Sequence, residues 1–312
     1  MPVIASLQQD IQVWPDLVLP LKDDLSVDTT KFTAHVRNLA SKGIQKFVLF
    51  GYAGEGASFS TEEKLSVLAV LAQSGFALED FLLGVNTSVL HEASALISRA
   101  HSLGVRQFLV SSPTFYDAVT DTAKIAFYTH LINQVGLPNW QIFIHQLGGS
   151  SASDLSSFVV SELLRSHPQH ISGVVDQDPR ASRCVGFLES FGGKALVTNC
   201  HETNLLMLRP PIAVSALANL IPGVVGGILG KGMAEQKTKF AGMKVKSPDE
   251  RVISLMAVIG NQPLIASIKF LISVHYRQNN WDIVRPPQSG LSDKSREDLA
   301  KAFKAFNLLP NE

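Results

Sequence analysis

The chain has 312 residues, 46% of them hydrophobic, and its 27 Lys and Arg residues balance its 27 Asp and Glu residues. Because the net charge is zero, electrostatic attraction gives no reason to expect nucleic acid or an anionic membrane as the main partner. Only Cys184 and Cys200 occur, so a disulfide framework is excluded and a reducing compartment is favoured. The sequence opens without a basic, apolar leader and has no run of about 18 apolar residues, so we expect a cytoplasmic protein without a membrane span.

Short runs rich in Val, Ile, Leu and Phe recur along the chain and predict eight β-strands. They cover residues 16–21, 46–51, 81–85, 107–112, 142–146, 171–175, 195–199 and 212–216. Their apolar residues do not alternate strictly with polar ones, which is typical of parallel strands covered on both faces. Amphipathic segments such as 61–75 and 90–104 lie between them and predict helices, the first with a capping box at its start. Strands alternating with helices indicate an α/β fold, a (β/α)8 TIM barrel.

The rival α/β architecture is the doubly wound open sheet, but no Gly-x-Gly-x-x-Gly turn follows the first predicted strand. After Pro222 the pattern changes to consecutive helical segments. We therefore predict a barrel core over residues 1–222, and the last barrel helix with a C-terminal helical extension over residues 223–312. No obvious linker separates the two parts, so we expect one continuous structural unit.

Six motifs along the chain resemble, in the right order, those of one enzyme family. They are "LPLKDDLSVD" (19–28), "FGYAGEGASFSTEEK" (50–64), "SSPTFYD" (111–117), "VSALANLIP" (214–222), "NQPLIASIKFL" (261–271) and "VRPPQSGLS" (284–292). Together they resemble the dihydrodipicolinate synthase and N-acetylneuraminate lyase family of class I aldolases. The resemblance implies a TIM barrel and an aldolase-type lyase that acts on a small 2-oxo acid. It also implies association into dimers or tetramers.

Members of that family bind the 2-oxo acid as a Schiff base on a lysine that ends the sixth strand, in a Gly-Ile-Lys-Asp motif. The corresponding residues here are Gly173, Val174, Val175 and Asp176, and no lysine occurs between Lys124 and Lys194. A Schiff base requires an amine that can lose its proton, and a valine has none. We therefore predict that Val175 stands at the lysine position and that the chain has no Schiff-base aldolase activity.

The residues that assist the family's lysine are replaced as well. By the resemblance, the proton-relay tyrosine falls on His145, and the tyrosine lent by a neighbouring subunit falls on Phe115. The threonines that hold the oxo-acid carboxylate fall on Tyr52 and Ala53. The arginine that binds a second carboxylate falls near Ser150. Loss of all these groups at one end of the barrel predicts that the inherited mechanism is gone.

Two groups of residues remain as candidates for ligand binding or catalysis. Gly51, Tyr52, Ala53, Gly54 and Glu55 form a turn after the second strand whose glycines and backbone amides suit an anion, although the same residues could merely shape the loop. His145 could act as an acid or base near neutral pH, or it could be a buried, hydrogen-bonded imidazole that fills the space of the tyrosine.

A metal site is a further alternative. Asp176, Cys200, His201 and Glu202 follow the sixth and seventh strands and have the side-chain types of zinc or manganese ligands together with His145. Their spacing forms no compact motif, so we predict neither a metal nor a cofactor, and whether His145, Asp176 and His201 converge stays open.

Three functional hypotheses follow. The first is a lyase of this family that acts on a small oxo acid by a route without a Schiff base. The second is a catalytically inactive barrel that serves as a ligand-binding or regulatory subunit, since a fold alone does not confer activity. The third is a purely structural or assembly role. In each of the first two we expect a small-molecule ligand such as a 2-oxo acid, and a homo-oligomer.

Overall fold

The computed structural model describes residues 12–114, 116, 119–148, 154–230, 248–260 and 262–306. Phe115 and Ser150 lie outside these residues. The chain alternates strands and helices from residue 12 to residue 230, and residues 248–260 and 262–306, where the description resumes, contain helices and no strand. The predicted boundary between residues 222 and 223 stays a prediction.

In the described part of the chain, eight short strands, all parallel to their partners, form two sheets. They are β1 (Gln12–Pro15), β2 (Phe47–Leu49), β3 (Phe81–Val85), β4 (Gln107–Ser111), β5 (Gln141–Gln146), β6 (Ile171–Asp176), β7 (Leu196–Asn199) and β8 (Ile212–Ser215). In the larger sheet the strands lie in chain order from β2 to β7, and in the smaller sheet β1 pairs with β8. A parallel bridge between Asp16 and Val48 places β1 beside β2, and the hydroxyl of Thr198 in β7 donates to the carbonyl of Ile212 in β8. These contacts arrange the strands in the order expected for the predicted α/β fold.

Eleven α-helices are present in the described residues. They are α1 (Thr29–Ser41), α2 (Thr61–Gln73), α3 (Leu90–Leu103), α4 (Asp121–Val135), α5 (Ser157–Ser166), α6 (Ala181–Phe191), α7 (Glu202–Leu208), α8 (Pro222–Gly230), α9 (Pro248–Ile259), α10 (Leu264–Tyr276) and α11 (Asp293–Phe306). The predicted capping box of α2 is confirmed, because the Ser60 side chain accepts from the Glu63 amide and the Glu63 carboxylate accepts from the Ser60 amide.

The first strand begins and ends earlier than the sequence predicts. The predicted run 16–21 is buried, but β1 precedes it, and the run itself is a loop. Pro20 has no backbone N–H to donate, and its carbonyl accepts from Asp28 across a turn closed by the bridge between Leu21 and Val27. The apolar character of the run therefore reflects a loop packed into the core. The other seven predicted strands are confirmed, each overlapping an observed strand.

One apolar cluster lies inside the ring of strands, and two larger ones contain residues of the surrounding helices. The inner cluster is built from alternate strand residues: Trp14, Val48, Leu82, Leu109, Phe143, Val175, Ile212 and Val214. Any site at the carboxyl ends of the strands therefore lies above this apolar inner cluster. Among the described residues no single helix is long and apolar enough to cross a membrane; only the bent pair Ile253–Ile259 and Leu264–Tyr276 passes that test when the two are taken together.

Candidate functional site

One layer of residues runs across the carboxyl ends of β4 to β7. Ser111 is in register with His145, His145 with Val175, and Val175 with Thr198. Residues in register on parallel strands point to the same face of a sheet. Because Val175 packs in the inner cluster with Phe143, this layer faces the interior. The structure therefore places His145 and the predicted lysine position side by side at the end where sites of such folds are built.

Val175 is 1% exposed and its surroundings are apolar. None of the eight described strands contains a lysine. At the position where the family resemblance implies a lysine amine, near the end of β6, the chain therefore has the methyl groups of Val175.

Asp16, just after β1, is the residue that the sequence reasoning missed. Its carboxylate oxygen Oδ2 accepts from the Ala53 amide at 2.8 Å. Burial raises the pKa of Asp16 to about 7, and the neighbouring backbone of the turn, the Ala53 amide first, opposes that rise. An acidic residue opening an apolar run was the available signal, and the run was interpreted as a strand.

Gly51 is required by the same carboxylate. A Cβ atom at this position would lie 2.3 Å from Oδ1 of Asp16 and 2.8 Å from Cγ1 of Val48. Oδ1 itself is buried and has no hydrogen-bond partner among the described residues. The turn after β2 thus closes tightly over Asp16, and its Ala53 amide is engaged within the chain.

Glu55 ends the turn and joins it to the C-terminal helices. Its φ of 53° lies in the left-handed region. One carboxylate oxygen is 2.5 Å from the ammonium of Lys269 in α10, and the other accepts from the Arg285 amide at 2.7 Å. Both carboxylate oxygens are therefore used to hold the fold together, and ligand binding by Glu55 stays a prediction.

A cavity of about 160 Å³ opens beside this turn. Its described lining includes Gly51, Tyr52 and Glu55 from the turn and His145 from β5, together with Ser111 and Asn86. The structure therefore brings four of the predicted site residues to one cavity. Ala53, Gly54 and Val175 are not part of the described lining, and Phe115 lies outside the described residues.

His145 is 3% exposed, and burial lowers its pKa to about 4, against a smaller opposing effect from a hydrogen bond with Gln177. At neutral pH the imidazole is therefore uncharged. Its Nδ1 atom has no hydrogen-bond partner among the described residues. A neutral imidazole at the cavity wall can donate or accept one hydrogen bond to a ligand, whereas it carries no proton to deliver as an acid at pH 7.

The residues of the metal alternative are engaged with other groups. Asp176 pairs with Arg183, Glu202 accepts from Ser215 and from the Leu217 amide, and His201 contacts Thr203. In the part of the chain that the structure describes, no three His, Cys, Asp or Glu side chains are close enough to hold a metal ion together.

Lys64 in α2 is a second residue that the sequence reasoning missed. It is 3% exposed, and its ammonium donates to the Gly84 carbonyl at 3.0 Å and to Oδ1 of Asn86 at 3.2 Å. Burial lowers its pKa to about 7, so the amine is partly uncharged at neutral pH. Asn86 separates Lys64 from the cavity.

Comparison with known proteins decides the family. A model of the dihydrodipicolinate synthetase family matches residues 11–306. The chain belongs to this family. It is 25% identical over 307 residues to the 4-hydroxy-tetrahydrodipicolinate synthase of Agrobacterium fabrum, covering 95% of this chain and 98% of the relative. The resemblance inferred from the six motifs is thereby confirmed.

Solved structures of the family share the fold. The dihydrodipicolinate synthase from Agrobacterium tumefaciens has a TM-score of 0.83 at 24% identity, with 95% of this chain and 99% of that chain covered. A catalytic lysine mutant of the Ruminococcus gnavus sialic acid aldolase has a TM-score of 0.80 at 15% identity, with 97% of each chain covered. This family member is thus an α/β protein of the dihydrodipicolinate synthase type.

Proposed function

We propose that this member of an aldolase-type lyase family binds a small molecule without forming a Schiff base, and acts as a ligand-binding or regulatory subunit. Val175 carries the proposal. It occupies the end of β6 with a buried methyl surface, and none of the described strands supplies a replacement amine. Without a carbinolamine and an enamine, the family's aldol chemistry has no covalent intermediate to proceed through.

The cavity beside the turn supports the binding part of the proposal. It is enclosed by residues from three strand ends and presents the hydroxyl of Ser111, the amide of Asn86 and the imidazole of His145. A concave site with a few convergent polar groups is the usual form of a small-molecule site. Its place at the carboxyl ends of the strands matches where family barrels hold their ligands.

The test is intact-mass spectrometry after incubation with pyruvate and borohydride. A Schiff base forms from a lysine amine and the oxo group with loss of water, and hydride then reduces the C=N bond to a stable secondary amine. We expect no stoichiometric adduct, while the Agrobacterium fabrum synthase treated in parallel serves as the positive control. One pyruvate per chain would overturn the proposal, and peptide mapping would then identify the lysine, with Lys64 and Lys194 the first to inspect.

A second candidate is a lyase that uses acid–base catalysis alone. The observation that favours it is Asp16, a buried carboxyl whose pKa of about 7 allows it to accept or release a proton at neutral pH. Release of pyruvate from its aldol adducts, measured with a coupled dehydrogenase and lost in D16N, would establish this function. Absence of release from the wild-type chain would exclude it for those substrates.

Oligomeric state and compartment are also part of the proposal. Family resemblance supports a dimer or tetramer, and light scattering on the purified chain tests it. A cytoplasmic location rests on the composition, which includes only two cysteines, and fractionation of the source cells tests it.

A further inference from the structure

A second cavity lies outside the ring of strands, between α1 and the turn that follows α10. Its volume is about 310 Å³, about twice that of the cavity beside the β2 turn. Its described lining includes Lys31, Ala34 and Asn38 from α1, Tyr276 from the end of α10, and Trp281. No strand residue is part of this lining, so this outer cavity is separate from the site at the carboxyl ends of the strands.

A directed chain of hydrogen bonds holds the wall of the outer cavity in place. The Asn219 amide nitrogen donates to the Asp16 carbonyl at 2.6 Å, so its oxygen accepts from Nε2 of His35 at 3.1 Å. Burial lowers the pKa of His35 to about 4, so the imidazole is neutral and its Nδ1 accepts from the Tyr276 hydroxyl at 2.9 Å. The hydroxyl oxygen in turn accepts from the Asn38 amide at 2.9 Å. The wall is therefore formed before a ligand arrives, which reduces the entropy cost of binding.

The body of the outer cavity is apolar. The rings of His35 and Trp281, both almost fully buried, form its floor with their centroids 5.1 Å apart. The half-buried ring of Tyr276 lies 5.8 Å from that of Trp281 at an angle of 53°, and the methyl group of Ala34 faces it from α1. A ligand ring can pack on Tyr276 in the tilted or offset geometry that aromatic pairs prefer. Cavities of about 150 Å³ hold benzene in other proteins, so this one has room for a substituted ring.

Lys31 is the one charged side chain of the described lining. It is 30% exposed, its ammonium donates to the Asn279 carbonyl at 3.0 Å, and the Asp28 carboxylate is 3.8 Å away, beyond hydrogen-bond distance. An ammonium has three donors, so Lys31 can also donate to a ligand oxygen. The described lining itself contains no carboxylate that would repel an anion.

We propose that the outer cavity is a binding site for a small aromatic carboxylate, with its ring packed on Tyr276 and its carboxylate bound by the ammonium of Lys31. An apolar body with one charged group at its edge matches the apolar wall and the single cation. The inference does not rest on Val175 or on the cavity beside the β2 turn, so it stands or falls independently of the proposed function.

The experiment is a ligand-observed NMR titration of the full chain with benzoate. We expect a dissociation constant of about 1 mM or lower, a modest ligand efficiency for a molecule of this size. Acetate has the charge without the ring, and benzylamine has the ring with the opposite charge. Each should bind at least about tenfold more weakly, because one loses the buried ring and the other the hydrogen bond to a charged group. No binding of benzoate, or equal binding of either comparison probe, would overturn the inference.

Two pairs of variants show whether benzoate binds in the outer cavity. A34M fills the cavity and should weaken benzoate binding at least about tenfold, whereas A40M changes an exposed alanine of α1 outside the described lining and should not. K31M keeps the stem and removes the ammonium, so it should weaken benzoate about tenfold and leave the neutral benzyl alcohol unchanged. K22M removes an exposed lysine outside the lining and is its control.

Benzoate binding that A34M leaves unchanged would place the ligand elsewhere and overturn the inference. An equal loss in K31M and K22M would show that net charge, and not Lys31, attracts the anion, and would overturn the role assigned to this residue. All four substituted side chains are at least partly exposed, and the comparison of probes on the wild-type chain tests the ligand class even where a variant fails to fold.

Discussion

Glu55 and Lys269 form a buried ion pair, with a carboxylate oxygen 2.5 Å from the ammonium and neither side chain exposed. The two residues are 214 positions apart in the chain. The pair connects the turn that borders the cavity to α10, so the shape of the site depends on the C-terminal helices as well as on the strands.

Removing one partner of this pair should destabilise the fold strongly. K269M leaves the Glu55 carboxylate buried with the Arg285 amide as its remaining partner, and an uncompensated buried charge of this kind costs about 3–5 kcal/mol. Urea denaturation should show that loss. The double variant K269M/E55Q should recover part of it, because no charge is then left unpaired.

The exposed pair of Arg99 and Glu62 is the matched control for that measurement. Both side chains are largely in water, so R99M should leave the urea midpoint unchanged. A loss in K269M no larger than in R99M would show that the buried pair contributes nothing to stability.

The stability of D16N relative to the wild-type chain should depend on pH. The folded-state pKa of Asp16 is raised from 3.8 to about 7, so its contribution is fully present below pH 3.8 and is lost as the pH rises towards 7. Asparagine does not titrate. D16N should therefore gain stability relative to the wild-type chain between pH 4 and pH 7, by at most about 4 kcal/mol for a shift of about three units, with no further change above that range.

Denaturant titrations of both proteins at pH 4.5, 5.5, 7 and 8 measure this difference. His35 and His145 are present in both proteins, so their own titration cancels. The pKa of Glu202 is raised in part by the charge of Asp16, so it should be somewhat lower in D16N, an effect smaller than that of Asp16 itself. A difference that stays flat across this range would mean that Asp16 is ionised in the fold at all four values, contrary to the effect expected from its burial.

Gly84 in β3 should not tolerate a side chain. A Cβ atom there would lie 1.8 Å from the carbonyl oxygen of Phe50, a backbone atom that cannot move aside cheaply. Phe50 itself has a φ of 57°, so the backbone before the cavity turn is already in the left-handed region. We expect G84A to lower the thermal midpoint sharply or to prevent folding. Overpacking should reduce the free energy of unfolding by at least about 1–3 kcal/mol.

Gly186 in α6 provides the opposite case with the same substitution. No heavy atom lies within 4 Å of a Cβ built there. G186A should be neutral or stabilising by up to about 1 kcal/mol, because alanine loses less backbone freedom in a helix. Differential scanning calorimetry of both variants makes the comparison, and equal midpoints would contradict the close approach of Phe50 to β3.

Introducing an amine at the end of β6 should allow covalent trapping. V175K places an ammonium among apolar side chains, where burial favours the neutral, nucleophilic form. With pyruvate and borohydride we expect one adduct per chain. V175M has a similar length and no amine, so it controls for packing strain. An unmodified V175K that remains folded would mean that the end of β6 does not face the ligand cavity.

Most of the secondary structure and the family could be predicted from short-range features of the sequence. Seven strands could be predicted because their apolar runs are short and lie between amphipathic helices, and the capping box at Ser60 and Glu63 depends only on residues three apart. The family could be recognised from motifs read in chain order, and the absence of lysine between Lys124 and Lys194 can be seen directly in the sequence. Each of these inferences requires only neighbouring residues or their order.

Only the tertiary structure showed which distant residues contact one another around the site. The loop 16–21 and a strand both bury apolar residues, so hydrophobicity could not separate them, and Asp16 was hidden within the run. Its contact with Ala53 spans 37 positions and that of Glu55 with Lys269 spans 214. Hydrogen bonds and ion pairs between distant segments depend on where the folded backbone brings them, and no local pattern records that. The sequence therefore determined that β6 contains no lysine, whereas the fold decided that the carboxylate of Asp16 accepts a hydrogen bond from the turn after β2.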